Sequence, residues 1–220
     1  MTEISRVVRS KDAAKASYNR MSKFYDLLAG ESEKKYKDIG LQFLGVQPGE
    51  TVLEIGFGTG KTLVPLARSV GATGKVVGLD ISEGMLAVAA ERLRKAGISD
   101  RVELKCGDAA DLAFPDQSFE AVFLCFTLEL FDTPEIPLVL KECRRVLHPD
   151  GRICVVGMSK KGQPNLMTGL YDWAHKKIPN YVDCRPIHIQ ESLEAAGFKS
   201  TKVKVMVMWG LPVEIILAKE

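Results

Sequence analysis

The chain has 220 residues, of which 46% are hydrophobic and 26% are charged, and its formal net charge is +2. This is the composition of an ordinary globular protein, long enough for one α/β domain with a substantial core, and its charge points to no polyanionic partner. Five cysteines form no C-x-x-C pair, which favours reduced thiols. No signal peptide or transmembrane stretch is visible, so we expect a soluble, cytoplasmic monomer or homodimer.

Residues 1–50 are predicted to be helical, in the stretches SYNRMSKFYDLL and EKKYKDIGLQFL. From Thr51 onward, short Val/Ile/Leu runs alternate with longer helical stretches, which is the order of βαβ units with a largely parallel sheet. Most of these runs are apolar on both faces, as a sheet covered by helices requires. The predicted strands are 51–56, 75–80, 102–107, 121–126, 152–158, 201–208 and 213–218.

The last two predicted strands are joined by only four residues, 209–212, too few for a parallel crossover, so they should form an antiparallel hairpin. We therefore expect a Rossmann-like, three-layer α/β sandwich with a seven-stranded, mostly parallel sheet and a C-terminal antiparallel hairpin. Residues 1–50 would form a helical lid on a core of residues 51–220. Residues 159–186, rich in Gly, Pro and aromatics, would be an insertion on the substrate side.

The first predicted strand runs into a glycine turn, EIGFGTG at residues 54–60. Such a turn lets a ligand approach the backbone closely, although a tight strand-to-helix connection needs no ligand. The dinucleotide pattern G-x-G-x-x-G would require a third glycine at position 61, which is a lysine. No glycine of the turn is followed, after four residues, by the Gly-Lys-Ser/Thr ending of a triphosphate-binding loop.

Acidic residues narrow the choice of ligand. Glu54 lies two residues before the first glycine, where its carboxylate would repel a pyrophosphate. S-adenosylmethionine carries no phosphate, and its ammonium and sulfonium are cationic, so Glu54 favours this ligand. Asp80 ends the second strand, where it can accept both ribose hydroxyl protons, and Ile81 or Met85 offer an apolar wall for adenine. An acid favoured by a helix dipole is the alternative explanation of Asp80.

Asp108 and Ala109 follow the third strand. The Asp108 side chain can accept from the adenine amino group while the Ala109 N–H donates to the ring. The alternative is an N-cap of a short turn.

Four segments in order, VLEIGFGTG, VVGLDIS, GDAADLAFPDQSFEAVF and ECRRVLHPDGRICVV, closely resemble the motifs of class I S-adenosylmethionine-dependent methyltransferases (methyltransferase type 11 domain) over residues 45–158. Residues 16–21, ASYNRM, look like the N-terminal element of ubiquinone/menaquinone C-methyltransferases and bacterial phosphatidylethanolamine N-methyltransferases. The resemblance implies S-adenosylmethionine as cofactor, S-adenosylhomocysteine as product, and a small-molecule or lipid-like acceptor. The sequence departs from the quinone C-methyltransferases at Glu129-Leu130, where those enzymes carry arginine-asparagine. This difference argues against a quinone acceptor.

The resemblance also places Tyr18 and Tyr25 near the methionine end of the cofactor. The full set of predicted cofactor-binding residues is Tyr18, Tyr25, Glu54, Gly56, Gly58, Gly60, Asp80, Ile81, Met85, Gly107, Asp108, Ala109, Cys125 and Phe126.

Methyl transfer from a sulfonium is an in-line displacement that needs alignment and exclusion of water, but no protein nucleophile. If the acceptor carries a proton, a base is useful, and the candidates are Glu129, His175 and Tyr25. Each has an ordinary alternative: Glu129 can face solvent, His175 can lie on a solvated helix face, and Tyr25 can be packing.

The acceptor should lie between the two irregular regions. Four aromatic residues of these regions can line the acceptor site or can pack the lid against the sheet: Tyr171, Trp173, Tyr181 and Trp209. Three basic residues allow transient contact with a membrane surface: Lys176, Lys177 and Arg185.

Two rival functions remain open from the sequence. One is an arsenite or thiol methyltransferase using paired thiolates, although only Cys184 lies in the presumed lid and the other cysteines suit the core. The other is a non-catalytic protein that binds the nucleoside. We expect no metal site, and no nucleic-acid partner, since there is no basic stripe and no Asn-Pro-Pro-Tyr-like element after the fourth strand.

Overall fold

The computed structural model describes residues 6–7, 9–22, 32–161 and 185–220. Its helices within these ranges are α1 (Lys11–Met21), α2 (Lys34–Leu44), α3 (Leu63–Val70), α4 (Glu83–Ala96), α5 (Ile136–Val146) and α6 (Ile189–Ala195), with short 3-10 turns at Ser99–Arg101 and Leu128–Leu130. The strands are β1 (Thr51–Ile55), β2 (Lys75–Asp80), β3 (Val102–Cys106), β4 (Phe119–Cys125), β5 (Leu147–Met158), β6 (Lys199–Met208) and β7 (Leu211–Lys219).

The seven strands form one sheet in the order β3-β2-β1-β4-β5-β7-β6. Strands β1 to β5 pair in parallel, and β7 runs antiparallel to both of its neighbours. The chain reverses its direction of winding between β1 and β4. In open α/β sheets this switch point, at the carboxyl ends of the strands, is where ligands bind.

Two layers of helices cover the sheet, one on each face. Alternate strand residues, such as Val52 and Phe123, pack with α2, α3 and α4 in one apolar core. Their neighbours, such as Leu53 and Val122, pack with α5 and α6 in a second core. The predicted three-layer sandwich is therefore confirmed.

The C-terminal hairpin is also confirmed, with a tighter connection than the sequence suggested. Only Trp209 and Gly210 lie between β6 and β7, and both have positive φ, as a two-residue hairpin turn requires. Strand β5 begins at Leu147, five residues earlier than predicted, because Leu147 pairs with Phe119 before a register shift. Residues His148 to Gly151 belong to the strand as well.

Helix α4 begins and ends as its sequence predicts. Ser82 is its N-cap, with a side chain that accepts from the Met85 N–H, and Gly97 closes it in the left-handed conformation. The sequence predicts one apolar face of this helix, at Leu86, Ala89, Ala90 and Leu93. Ala89 and Leu93 are buried and Leu86 is half-buried, whereas Ala90 is exposed, so the prediction is wrong at Ala90.

Helix α2 is part of the sandwich layer, although it belongs to the segment predicted as a lid. It packs on β5, β7 and β4, and a Cβ at Gly40 would lie 2.5 Å from Val156 Cγ2. Helix α1 contacts α4. The division into a lid of residues 1–50 and a core of residues 51–220 stays a prediction, and most of residues 159–186 lies outside the described residues.

Candidate functional site

A cavity opens at the carboxyl ends of β1, β2 and β4, beside the topological switch point. Twelve of the fourteen predicted cofactor residues line it: Tyr18, Glu54, Gly56, Gly58, Asp80, Ile81, Met85, Gly107, Asp108, Ala109, Cys125 and Phe126. Tyr25 lies outside the described residues. Gly60 is not part of the cavity wall.

The glycine turn after β1 explains why Gly56 lines the cavity and Gly60 does not. Gly56, at φ +72°, faces Thr127, and a Cβ there would come within 2.4 Å of the threonine side chain. Gly60, at φ +77°, faces away, where a Cβ would lie 2.9 Å from Ala89 Cβ. Gly56 therefore keeps the loops after β1 and β4 together at the cavity, while Gly60 lets the turn pack against α4.

Glu54 is buried at the floor of the cavity, with 1% of its surface exposed. The Thr62 hydroxyl donates to its Oε1. Burial raises the pKa of Glu54 to about 8, against the opposing effects of the Thr62 hydrogen bond and the Lys37 ammonium. A cation entering the cavity would favour the ionised form of this carboxyl group.

Asp80 organises the turn from the end of β2. Its Oδ2 accepts from the Gly58 N–H at 2.9 Å, and its Oδ1 accepts from the Ser82 N–H at 3.0 Å. Burial raises the pKa of Asp80, although these backbone donors oppose the shift. Each oxygen keeps a further lone pair for a ligand hydroxyl.

Asp108 lies at the other end of the cavity, next to the N-terminal segment. Its Oδ1 accepts from the Ala110 N–H at 3.0 Å, so the turn-forming alternative is realised. Its Oδ2 pairs with Lys11 Nζ at 2.5 Å, and Lys11 also pairs with Glu135 at 2.7 Å. Burial acts to raise the pKa of Asp108, but Lys11 holds it below the ordinary value.

Between these ends, the loop after β4 is held in an unusual backbone conformation. Phe126 has φ +51°, which is uncommon for a non-glycine residue and typical of functional sites. Its N–H donates to the Val156 carbonyl at 2.7 Å, and Tyr36 packs edge-on against its ring at 6.3 Å. The Thr127 hydroxyl donates to the Cys125 carbonyl at 3.1 Å. The loop therefore presents backbone and ring edge to the cavity in a fixed geometry.

Several lining residues were missed by the sequence reasoning, because they come from outside the motif segment. The N-terminal segment and the start of α2 supply Val7, Arg9, Lys11, Ala14, Glu33 and Lys37. The Arg9 guanidinium lies over the Tyr18 ring at 5.4 Å. No local pattern marks these positions, since their role depends on contacts with residues far away in sequence.

The base candidate Glu129 is buried, so its interpretation as a solvent-facing residue is wrong. Its Oε1 accepts from the Met158 N–H at 3.0 Å, and its carboxylate lies against Gly157. It is not among the residues that line the cavity, whereas Leu130 is. The other candidates, Tyr25 and His175, lie outside the described residues.

The predicted acceptor wall is mostly outside the described ranges. Tyr171, Trp173, Tyr181, Lys176, Lys177 and Cys184 all lie there. Trp209 is 60% exposed at the hairpin turn and does not line the cavity. The interpretation of Arg185 as a membrane-contacting residue is wrong, because it is buried and donates from Nη2 to the Phe131 carbonyl at 2.6 Å.

The four cysteines that the structure describes give no support to thiolate chemistry. Cys125, Cys143 and Cys154 are buried, and burial raises the pKa of each thiol. Cys106 is exposed, contrary to its interpretation as a core residue, and its thiol donates to the Ile81 carbonyl. In the described part of the chain, no group of His, Cys, Asp and Glu could hold a metal ion, and no helix is long and apolar enough to cross a membrane.

Comparison with known proteins fits this geometry. Residues 52–151 match the model of a methyltransferase domain family. A 2-phytyl-1,4-naphthoquinone methyltransferase from Synechococcus elongatus is 32% identical over 163 residues, which cover 72% of this chain and 69% of that protein. The chain belongs to the class I S-adenosylmethionine-dependent methyltransferases.

Other methyltransferases show the same likeness. A ubiquinone/menaquinone biosynthesis C-methyltransferase from Ectopseudomonas mendocina is 38% identical over 157 residues, covering 71% of this chain and 59% of that relative. The solved structure of an S-adenosylmethionine-dependent methyltransferase from Aquifex aeolicus superposes with a TM-score of 0.63 at 23% identity, covering 93% of this chain and 97% of the other. This last likeness shows the fold alone. The protein is thus a methyltransferase that uses S-adenosylmethionine.

Proposed function

We propose that this methyltransferase transfers the methyl group of S-adenosylmethionine to a ring carbon of a reduced quinone. The observation that carries the proposal is the likeness to two methyltransferases, one named for 2-phytyl-1,4-naphthoquinone and one a C-methyltransferase named for ubiquinone/menaquinone biosynthesis. The departure at Glu129-Leu130 does not oppose it, because Glu129 is turned into the protein and Leu130 adds apolar surface to the cavity.

The proposed cofactor pose follows the charges along the cavity. Glu54 binds the ammonium at the methionine end of the cofactor, and the backbone of the glycine turn lies next to the sulfonium. Asp80 accepts from the ribose hydroxyls with the lone pairs left by Gly58 and Ser82. At the far end, Asp108 accepts from the adenine amino group. Four further lining residues would complete the adenine and backbone contacts: Ile81, Met85, Ala109 and Cys125.

The reaction requires alignment more than chemical assistance. A ring carbon made electron-rich by a neighbouring phenolate attacks the methyl carbon in line with the bond to sulfur. The carbon–sulfur bond breaks, its electron pair stays on sulfur, and S-adenosylhomocysteine leaves. Attack turns the phenolate oxygen into a carbonyl; the proton of the methylated ring carbon then moves through solvent to this oxygen, and the aromatic phenol is restored. The protein contributes by positioning the two reactants and excluding water.

Apolar side chains beside the sulfonium position support an aromatic acceptor. Phe126, Leu130 and Phe131 line the cavity on the side of the β4 loop, where Tyr36 braces the Phe126 ring. A planar quinol ring would pack against this surface and remove it from water. An arsenite acceptor is less suitable, since Cys125 is the only one of the four described cysteines that lines the cavity.

A methyl-transfer assay tests the proposal. The protein is incubated with methyl-labelled S-adenosylmethionine and 2-phytyl-1,4-naphthoquinone, either reduced by dithionite or kept oxidised, with phosphatidylethanolamine and arsenite as other acceptors. We expect one methyl group to appear on the ring of the reduced quinone and none on the oxidised form. Turnover of another acceptor with no transfer to the quinol would refute the quinone assignment, and binding of the cofactor without any transfer would favour a non-catalytic protein.

A further inference from the structure

Five large apolar side chains are exposed in the described part of the chain, and four of them lie together. Val203, Val205 and Val207 alternate along β6, and Trp209 follows in the hairpin turn. The exposed fraction rises from 39% at Val203 to 66% at Val207, and Trp209 is 60% exposed. We call these four residues the β6 ridge. A contiguous exposed apolar surface is typical of a contact with another molecule or with a membrane.

The ridge lies on the outermost strand of the sheet. Strand β6 ends the strand order, with β7 as its neighbour. Val203 is opposite Ile216 in the β6–β7 register, and Ile216 belongs to the core that α5 and α6 cover. Residues opposite each other in an antiparallel pair point to the same face of the sheet. The ridge therefore continues the face covered by α5 and α6, but its valines stay exposed although α6 contacts β6.

The most exposed end of the ridge lies at the same edge of the sheet as the cavity. Strands β5 and β6 are both antiparallel to β7, so they run in the same direction, and Trp209 follows the carboxyl end of β6. The Tyr36 hydroxyl donates to the Val207 carbonyl at 2.6 Å, and the Tyr36 ring packs against Phe126, which lines the cavity. A surface that contacts the ridge therefore lies beside the edge at which the cavity opens.

The charges on the ridge strand are positive. Strand β6 contains no acid and three exposed lysines, Lys199, Lys202 and Lys204. Glu214, which is opposite Val205, is buried and pairs with Lys161 at 3.3 Å. Two exposed acids on α6, Glu191 and Glu194, weaken the positive field, so apolar contact and charge must act together to hold an anionic partner.

This combination fits a lipid bilayer better than a second copy of the chain. Two β6 edges that paired would bring the lysines of one copy next to those of the other, and like charges oppose edge pairing. A bilayer with anionic phospholipid instead attracts the lysines and takes up the valines among its acyl chains. Tryptophan is favoured at the level of the lipid headgroups.

We propose that the β6 ridge docks the protein on a bilayer that contains anionic phospholipid. Val207 and Trp209 insert between the lipids, and the lysines of β6 lie near the phosphates. The edge of the sheet with the cavity then lies next to the bilayer, so an acceptor dissolved in lipid can enter the cavity directly from the membrane. The docking goes beyond the proposed function and does not depend on it, because it can serve any acceptor.

Sedimentation with vesicles tests the docking. Wild type is mixed with vesicles of phosphatidylcholine alone or of an equal mixture of phosphatidylcholine and phosphatidylglycerol, at low and at high salt. We expect binding to the mixed vesicles to be at least tenfold tighter than to phosphatidylcholine, and to weaken as salt is added. Equal binding to the two kinds of vesicle, or binding to neither, would overturn the proposal.

Two variants remove the apolar and the charged contacts separately. Val207→Thr combined with Trp209→Asn keeps a β-branched residue and creates an Asn-Gly turn, so the hairpin should still form. This variant and Lys204→Glu should each bind mixed vesicles at least tenfold more weakly than wild type. Leu138→Gln and Lys141→Glu make matched changes at exposed positions of α5 and should bind like wild type. Unchanged binding of the ridge variants, or equal losses in the α5 variants, would refute the assignment of this surface.

Tryptophan fluorescence reports on the ridge without altering it. In Trp173→Phe, Trp209 is the remaining tryptophan. Its emission should shift to shorter wavelength when mixed vesicles are added, because the ring leaves water, and should stay unchanged with phosphatidylcholine. An unshifted emission of protein that sediments with the vesicles would show that another surface binds them, which would overturn the proposal.

Analytical ultracentrifugation without vesicles tests the rival partner. We expect the same oligomeric state for wild type and for Val207→Thr combined with Trp209→Asn. A wild-type dimer that dissociates in this variant would assign the ridge to a second copy of the chain and refute the docking on lipid.

Discussion

Two opposing effects act on the ionisation of Glu54: burial favours its protonated form, and a bound cation would favour its carboxylate. Glu54 lies at the floor of the cavity that we propose for a cationic cofactor, yet burial raises the pKa of its carboxyl group to about 8 in the ligand-free protein. At neutral pH the empty site therefore holds mainly the protonated acid. The ammonium of the cofactor favours the carboxylate, so binding and proton release are linked.

We predict that S-adenosylhomocysteine binding at pH 7 releases about one proton from wild type, because nine-tenths of a group with a pKa near 8 is protonated there. Titration calorimetry in buffers of different ionisation enthalpy measures this number. Glu54→Gln, which cannot ionise, should release none. Proton release that survives in Glu54→Gln would assign the titration to another group.

The same residue predicts a pH dependence of stability. A carboxyl group with a raised pKa binds its proton more tightly in the folded state, so its contribution is favourable below the unfolded value near 4.5 and is lost as the pH rises through 8. In urea unfolding of the ligand-free protein, Glu54→Gln should therefore be more stable than wild type at pH 9 and close to wild type at pH 5. A pH-independent difference between the two would contradict the assignment.

At the scale of elements, the contact between α1 and α4 fixes the N-terminal wall of the cavity. Asn19 Oδ1 accepts from the Ser82 hydroxyl at 2.6 Å and from the Gly84 N–H at 2.9 Å. A Cβ at Gly84 would lie 2.8 Å from Asn19 Cα, so only glycine lets the helices approach this closely. Tyr18 and Lys11 depend on this contact for their positions.

Gly84→Ala should therefore displace α1 and leave the sheet intact. Hydrogen exchange should become faster throughout α1 and stay unchanged in β1 and β4, and binding of S-adenosylhomocysteine should weaken severalfold. Ala87→Val, which adds volume on the exposed side of α4, is the matched control. Unchanged exchange in α1 of Gly84→Ala would show that this contact does not position the helix.

Helix α2 depends in a similar way on Gly40, which faces Val156 and Phe123. We expect Gly40→Ala to destabilise the protein by about 1–3 kcal/mol, because overpacking against the sheet outweighs the better helix propensity of alanine. Gln42→Ala, on the exposed side of α2, should change the free energy of unfolding in urea only slightly. A stabilised Gly40→Ala variant would contradict this, because it would mean that α2 can shift away from the sheet without loss of stability.

Elements defined by local signals could be predicted from the sequence. The alternation of apolar strands, the Ser82 and Gly97 ends of α4, and the hairpin all follow from patterns within a few residues. The start of β5 was missed, because it depends on pairing with Phe119 rather than on its own residues. The N-terminal wall was missed for the same reason, since Lys11 and Asp108 are 97 residues apart in the chain.

For the whole molecule, the cavity joins segments that are far apart in the sequence. The glycine turn, the β4 loop, the N-terminal segment and α2 all contribute to its wall. Ligand binding should therefore stabilise the folded state as a unit. S-adenosylhomocysteine at 100 times its Kd contributes about 2.7 kcal/mol, which corresponds to a rise in Tm of about 5–11 °C for a domain of this size. NADH at the same concentration should leave Tm unchanged, and an equal rise with NADH would contradict the ligand assignment.

If this cavity is the cofactor site, Asp80 binds the ribose hydroxyls. Calorimetric titration of S-adenosylhomocysteine into wild type and Asp80→Ala tests it directly, with Asp100→Ala, an exposed acid on a 3-10 turn, as the control. Hydrogen bonds to a charged group contribute about 1.5–3 kcal/mol, so we predict an affinity at least tenfold weaker for Asp80→Ala and unchanged for Asp100→Ala. Equal affinity of wild type and Asp80→Ala would contradict the assignment of the site.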